Sequence, residues 1–447
     1  MKKRFATILS AVAVVLTIGA CAVKSDDPVL NFLNNRFGMF IHFNMGTFHG
    51  EQWAQPGHDT KSFNPTNLDC AQWADAAKSA QMSYAVFTTK HHDGFCLWDS
   101  EVTDYDVASS SYDGDIVKEY VDAFRSRGLK VGLYFSVWDR QHGISRGKVS
   151  EKDVEYTKRQ LTELLTNYGE IICIVIDGWG SAWGASPTFE DIPYAVLADH
   201  IHSIQPNCLV INHSCRTDRE YTQVVHYEAT HGQHCPYDNT IPSQQGPTLQ
   251  PAWFWEKGYE KLNLKPLEEI VAELDFCNSH YANYLLNAAP NSEGRMDQNV
   301  VDRLAEVGKA WKRPASLRSL PKEHAPHQSV LAEVSSEVKP AKDALDANLF
   351  SYWEAKSGDP FPTITLDFGR PENFNKVVTG EPKNHKNIEA FIVEAYMDGK
   401  WVRIAQGENM GFHWDVRFED VTAQKFRLVC TKFKRAPKLA EITFVKY

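Results

Sequence analysis

Seven short apolar runs, separated by stretches with helical spacing, restrict the folds open to this chain more than any other feature. They occupy residues 38–43, 84–89, 131–135, 171–176, 209–212, 224–227 and 284–287. Hydrophobicity within them is continuous rather than alternating, so both faces of each strand must be covered, as in a parallel sheet flanked by helices. Helical stretches at 69–79, 115–127, 151–168 and 267–279 lie between the runs. In 151–168 the residues Leu161, Leu164, Leu165 and Tyr168 recur at helical spacing, and Ser150 with Asp153 predicts a capping box at the start. Strand then helix, repeated from Arg36 to about Trp311, has the size and period of a (β/α)₈-like barrel of the TIM type. The eighth strand is either 252–255 or degenerate.

The pattern changes after Arg313. Pro314, Pro321 and Pro326 punctuate a linker-like stretch, and period-2 alternation then appears at 363–368, 390–396, 401–404, 425–430 and 441–445. Alternation between turn residues predicts an antiparallel β-sandwich. The expected organisation is therefore a barrel over 36–313 and a sandwich over 314–447, in line with two or three domains for 447 residues. At the other end, Lys2, Lys3 and Arg4 precede an apolar stretch from Phe5 to Ala20, the layout of a secretory signal over 1–20. Ile18-Gly19-Ala20-Cys21 resembles the lipobox of bacterial lipoproteins, which implies lipidation at Cys21, a tether over 21–35 and an exported chain anchored in the periplasm or at the cell surface. No later segment reaches the roughly 20 apolar residues that span a bilayer.

A net charge of −10 without basic clusters excludes a nucleic-acid binder. Twelve Trp suit a core, and also the flat faces of a carbohydrate site. Nine Cys leave eight once Cys21 is set aside, with no CxxC and no zinc-type spacing. Cys173 and Cys208 fall in buried strands and read as small core residues. The sequence names no disulfide pair.

Polar residues collect at the strand ends, where barrel chemistry sits. His42 closes the first strand, with Glu51 and Trp53 in the following loop, and His91-His92-Asp93 closes the second. Tyr134 lies in the third, followed by Trp138 and Asp139. Asn212-His213 and Tyr227-Glu228 end later strands. The fourth, Ile174-Val175-Ile176, ends in Asp177-Gly178-Trp179: a carboxylate terminates a wholly apolar strand, and the glycine leaves room for a ligand. Structural roles exist for each, a core hydrogen bond for a histidine pair or a helix cap for Asp177. Gly178-Trp179-Gly180 is poor helix sequence, and the repetition of polar ends favours a site. A carboxylate among His, Trp and Tyr, without a Gly-rich phosphate loop, suits glycoside hydrolysis.

Four ordered motifs carry a more specific resemblance: Phe37-Gly38-Met39-Phe40-Ile41-His42-Phe43, Lys90-His91-His92-Asp93-Gly94-Phe95, Ile176-Asp177-Gly178, and Asn283-Tyr284-Leu285-Leu286-Asn287 with Pro290 and Gly294-Arg295. They resemble the α-L-fucosidases of glycoside hydrolase family 29. The resemblance implies a retaining, exo-acting enzyme on terminal α-L-fucose of oligosaccharides or glycans, without metal or organic cofactor. It implies Asp177 as nucleophile and His42, His91, His92, Tyr134 and Trp253 as sugar contacts. Glu51 and Trp53 match the family's Glu and Trp after the first strand loosely, since Gln52 intervenes. The C-terminal phrases, from Asn348-Leu349-Phe350-Ser351-Tyr352-Trp353 to the final Glu441-Ile442 strand, resemble a discoidin-type or carbohydrate-binding sandwich, either a cap on the barrel or a glycan holder.

One departure bears on catalysis. Branched-linkage-specific members carry Pro-x-Glu with that Glu as acid/base, whereas here Pro242-Ser243-Gln244 places an amide there, and Gln250 replaces an Arg. General acid help is worth about 10²–10⁴-fold, and glutamine cannot supply it. Glu228 is the first substitute, then Glu256, then Glu51. The other readings are an acid/base-deficient relative, a galactose-type glycosidase and a non-catalytic glycan-binding protein.

Overall fold

The computed structural model describes residues 26–445 apart from 182–183, 215–218, 237–238, 322–330, 346–350, 383–384 and 412–413. The expected signal 1–20 and Cys21 lie outside the described residues, as do Cys215 and the Asn348-Leu349-Phe350 phrase. No helix among the described residues is long and apolar enough to cross a membrane.

Eight parallel strands form the N-terminal sheet: β1 (Phe37–Ile41), β2 (Tyr84–Lys90), β3 (Lys130–Ser136), β4 (Cys173–Asp177), β5 (Leu209–Asn212), β6 (Val225–Tyr227), β7 (Ser243–Gln245) and β8 (Ala282–Asn287). They run in the order β5-β4-β3-β2-β1-β8-β7-β6, a nearly closed barrel. Among the described residues no ladder joins β5 to β6. The gap is bridged by Gln223, whose N–H donates to the Val210 carbonyl (3.1 Å) and whose Oε1 accepts from the Val210 N–H (2.8 Å). Thr222 Oγ1 accepts from the Asn212 N–H at 3.0 Å.

Among the described residues eight helices accompany the barrel: α1 (Pro28–Leu33), α2 (Met45–His49), α3 (Cys70–Ser79), α4 (Ile116–Ser126), α5 (Glu151–Asn167), α6 (Tyr194–Ile204), α7 (Leu267–Ser279) and α8 (Gln298–Ala310). Asp69, Asp115 and Ser150 cap α3, α4 and α5, and both bonds of the Ser150–Asp153 capping box are present. Ile174, Val175 and Ile176 of β4 are fully buried; burial of each such side chain is worth about 1.5–3 kcal/mol.

The seven apolar runs correspond to β1–β6 and β8. The eighth strand is Ser243-Gln244-Gln245, and 252–255 is irregular loop. Three polar residues gave no hydrophobic signal, yet all three are buried in the barrel.

The C-terminal part is antiparallel. Strands β9 (Leu331–Val334), β11 (Thr363–Gly380), β12 (Ile388–Met397), β13 (Lys400–Glu408), β14 (Trp414–Phe433) and β16 (Glu441–Val445) form one hydrogen-bonded set, and β10 (Trp353–Glu354) pairs with β15 (Lys438–Leu439). The long strand β11 joins β9 through its first half and β16 through its second, with register shifts between. Bulges of this kind bend a strand and let one sheet wrap its own core. Phe374, Phe426 and Phe444 meet there, with centroids 5.3 Å apart for Phe374–Phe426 and 4.8 Å for Phe426–Phe444. Glu269 of α7 ties the two parts together, 3.6 Å from both Lys376 and Arg417.

Candidate active site

The C-terminal ends of the strands surround a cavity of about 250 Å³. Asp177 ends β4 and faces into it. Its Oδ2 accepts from the Tyr134 hydroxyl of β3 at 2.7 Å and lies 3.5 Å from His92 Nε2 and 3.4 Å from His213 Nδ1. Its Oδ1 accepts from the Gly178 N–H at 2.5 Å. Burial alone would raise this carboxyl. The neighbouring His92 and His213, with the Tyr134 hydrogen bond, instead hold it well below the ordinary carboxylate range. Asp177 is thus an ionised carboxylate facing the cavity. Gly178 is required twice over, by its φ of +63° and because a Cβ there would sit 2.5 Å from Trp138 Cβ. The room it leaves is filled by Trp138, which itself lines the cavity.

His42 and His92 are each set by a partner in a different strand. His42 Nδ1 pairs with Asn287 Oδ1 of β8 at 2.7 Å, and the Asn287 amide donates to the Trp253 carbonyl at 2.9 Å. His92 Nδ1 pairs with Ser136 Oγ of β3 at 2.7 Å. Burial pushes His42 down to about 3 and His91 well below its ordinary value, so both are neutral groups suited to sugar hydroxyls. His213 goes the other way. Burial opposes its charge, but Asp177 and Glu228 raise it above the usual imidazole value, which favours its charged form beside the Asp177 carboxylate.

Behind the histidine pair lies a buried ion pair. Lys90 Nζ donates to Asp139 Oδ2 at 3.0 Å and to Gln160 Oε1 at 2.8 Å, and Tyr156 donates to the same Asp139 oxygen at 3.1 Å. Burial would raise the Asp139 carboxyl, but Lys90 and its hydrogen bonds hold it down. Gly94, at φ +93°, clears space for Asp139, whose Oδ1 would lie 2.4 Å from an added Cβ. This explains the Lys and Gly of the Lys90–Phe95 motif: they lock the end of β2 to the loop after β3, where the Arg140 N–H donates to the His92 carbonyl at 3.0 Å. Lys90→Met strands a buried carboxylate and is expected to cost about 3–5 kcal/mol of stability, read as a shift in denaturant midpoint. Asp93 is fully buried, does not line the cavity, and is pushed up to about 7 by burial.

Of the residues singled out in the sequence, His42, Trp53, His91, His92, Asp177, Glu228 and Trp253 all line the cavity, and Tyr134 donates to Asp177. Glu51 stands apart: its carboxylate accepts from the Gln55 N–H at 2.9 Å and meets His58 Nε2 at 3.2 Å. Gln52 takes the place at the wall. Its amide donates to the Phe254 carbonyl (3.0 Å) and Glu256 Oε1 (2.8 Å) and accepts from the Phe254 N–H (2.9 Å), pinning the loop that presents Trp253. Glu256 is therefore engaged with Gln52 and lies off the cavity lining. Gln244 is fully buried behind the wall, where its Nε2 donates to His226 Nδ1 at 2.9 Å. Gln52 and Ser136 were not singled out as site residues, and Trp138 and Asn287 were named after the third strand and in the fourth motif without a role. Only their partners across strands reveal them, and no local spacing encodes those.

His91, His92 and Asp177 bring one donor atom each within 4.8 Å of one another. Ligands 2.0 Å from a tetrahedral ion lie roughly 3.3 Å apart, and the Asp177 oxygen is already taken by Tyr134. The set is better matched to hydroxyl groups.

A barrel whose strand ends set two carboxylates, four imidazoles and indole faces around a pocket of one-sugar size belongs to the class of glycoside hydrolases. The α-L-fucosidase family model matches residues 23–314, and the F5/8 type C domain model matches residues 328–442. Over 432 residues the chain is 29% identical to Alpha-L-fucosidase 1 of Arabidopsis thaliana, covering 90% of this chain and 83% of that protein. It is 27% identical to the rice protein called alpha-L-fucosidase 1 over 421 residues, 88% of this chain and 79% of the relative. Among solved structures, alpha-L-fucosidase isoenzyme 1 from Paenibacillus thiaminolyticus aligns over 91% of this chain and 98% of its own, with a TM-score of 0.56 and 26% identity. The chain belongs to the α-L-fucosidase family, glycoside hydrolase family 29, with a discoidin-like C-terminal domain.

Proposed function

We propose that this enzyme removes terminal α-L-fucose from fucosylated oligosaccharides or glycans with Asp177 as nucleophile and Glu228 as acid/base. One observation carries the assignment: Asp177 and Glu228 are the two carboxylates that line the cavity among the described residues. Glu228 directly follows β6 and is nearly buried, its backbone held by Gln233. Asp177 attacks the anomeric carbon opposite the leaving oxygen as Glu228 protonates that oxygen, and a β-linked fucosyl ester forms. Glu228 then takes a proton from the water that breaks the ester, and α-L-fucose leaves. A pocket of about 250 Å³ suits one monosaccharide, which supports exo action. Gln244, outside the pocket and bonded to His226, does not remove the acid from the site. Proton NMR of the first product formed is expected to show α-L-fucose before mutarotation. β-L-Fucose as the first product would refute the double displacement.

The Cys21 motif supports export and lipid anchoring of the enzyme in the periplasm or at the cell surface. Cys21→Ala is expected to abolish incorporation of labelled palmitate and release the enzyme from the membrane fraction.

A further inference from the structure

We propose that Asn287 is a positioning residue for the sugar: it holds the ring proton of His42 on Nδ1, so that Nε2 meets the cavity as a hydrogen-bond acceptor and recognises a hydroxyl that donates. The inference rests on the cavity being the fucose site proposed above. It adds the direction of one hydrogen bond and the residue that sets it. Asn287 closes β8 and is fully buried. Its backbone is fixed twice: its N–H donates to the Pro247 carbonyl at 2.9 Å, and its carbonyl accepts from the Leu249 N–H at 2.9 Å. His42 comes directly after β1, the strand paired with β8, and Phe40 stands opposite Asn287 in that pairing.

The Asn287 amide has two ends, and each has a partner. Nδ2 donates to the Trp253 carbonyl at 2.9 Å, so Oδ1 is the end turned to His42, 2.7 Å from Nδ1. Turning the amide over would set its oxygen against the Trp253 carbonyl, two acceptors with no proton between them. An amide oxygen only accepts, so the proton of this bond belongs to His42 Nδ1. Burial pushes the imidazole down to about 3, so at neutral pH the ring carries that one proton and Nε2 has none.

His42 lines the cavity, and among the described residues no hydrogen bond engages its Nε2. What Nε2 can hold there is a group that brings a proton, and on a sugar that group is a hydroxyl. Hydrogen, fluorine or methoxy in place of that hydroxyl removes the donated proton, so such analogues should be rejected. The same amide holds the backbone of Trp253, whose ring lies 4.9 Å from that of His42 and also lines the cavity. One side chain behind the wall thus arranges two that face the ligand.

Neutron diffraction from crystals of the wild-type enzyme exchanged into heavy water at neutral pD reads the proton directly. Deuterium on His42 Nδ1 with Nε2 bare is the expected result. Deuterium on Nε2, alone or together with Nδ1, would overturn the assignment. Kinetics then separates positioning from support of the fold. Asn287→Ala should lower kcat/KM on an aryl α-L-fucoside roughly 10-fold or more. The mono-deoxy fucoside lacking the hydroxyl that His42 accepts is the one on which His42→Ala costs least. On that substrate Asn287→Ala should cost little, a coupling between Asn287 and a hydroxyl it does not touch. Equal losses on the parent and on every mono-deoxy substrate would mean that Asn287 only supports the fold. The neutron result does not depend on what the enzyme turns over, so inactivity on every fucoside would sink the fucosidase reading alone.

Discussion

Asp177→Ala is expected to lower kcat/KM on aryl α-L-fucosides by at least about 10³-fold while leaving the fold intact, because the bond-forming group itself is lost. The barrel should tolerate the change. Asp177 lies beyond the apolar part of β4, and its partner His92 is held independently by Ser136. Added azide should occupy the space the carboxylate leaves and attack from the same face, restoring turnover with β-L-fucosyl azide as product. Turnover near wild type without azide would remove Asp177 from the mechanism.

Glu228→Ala is expected to separate substrates by leaving group. For a fucosylated oligosaccharide, whose leaving alcohol needs a proton, kcat/KM should fall about 10²–10⁴-fold. For an aryl fucoside with an acidic phenol, formation of the fucosyl ester should be little affected, and the ester should then accumulate. Azide should now attack that ester from the opposite face and give α-L-fucosyl azide. The two variants thus predict opposite azide anomers, which no effect on folding could imitate. Equal losses on both substrates would mean that Glu228 is not the proton donor. Glu256 and Glu51 are poorly placed to take over, since Gln52 engages one and His58 the other.

What could be read from the sequence follows how local each signal is. Asp177 was legible because a wholly apolar strand ending in a carboxylate is unusual within a few residues, and His42, His91 and Glu228 were legible as ends of strands already recognised. Strand β7 was not legible. Ser243, Gln244 and Gln245 are polar and form a strand of only three residues, buried with partners that lie in neighbouring loops and strands, Ile241 for Ser243, His226 for Gln244 and Cys235 for Gln245. In the first loop the expectation fell on Glu51, while Gln52 reached the cavity wall. One position in a loop decides which side chain faces the ligand, and no periodicity marks it. Ser136 and Asn287 act through His92 and His42, contacts between residues 44 and 245 positions apart. In the C-terminal sheet, β11 and β14 run longer than the alternating segments because their register shifts break the period-2 pattern.

Covalent capture tests the central claim most directly. A fluorinated fucosyl fluoride, which slows hydrolysis of the ester more than its formation, is incubated with the enzyme, and the digested protein is mapped by mass spectrometry. One fucosyl-derived label on the carboxylate of Asp177, absent in Asp177→Ala and blocked by excess fucose, is the predicted result. A label on Glu228 or on any other side chain, with Asp177 unmodified, would contradict the account.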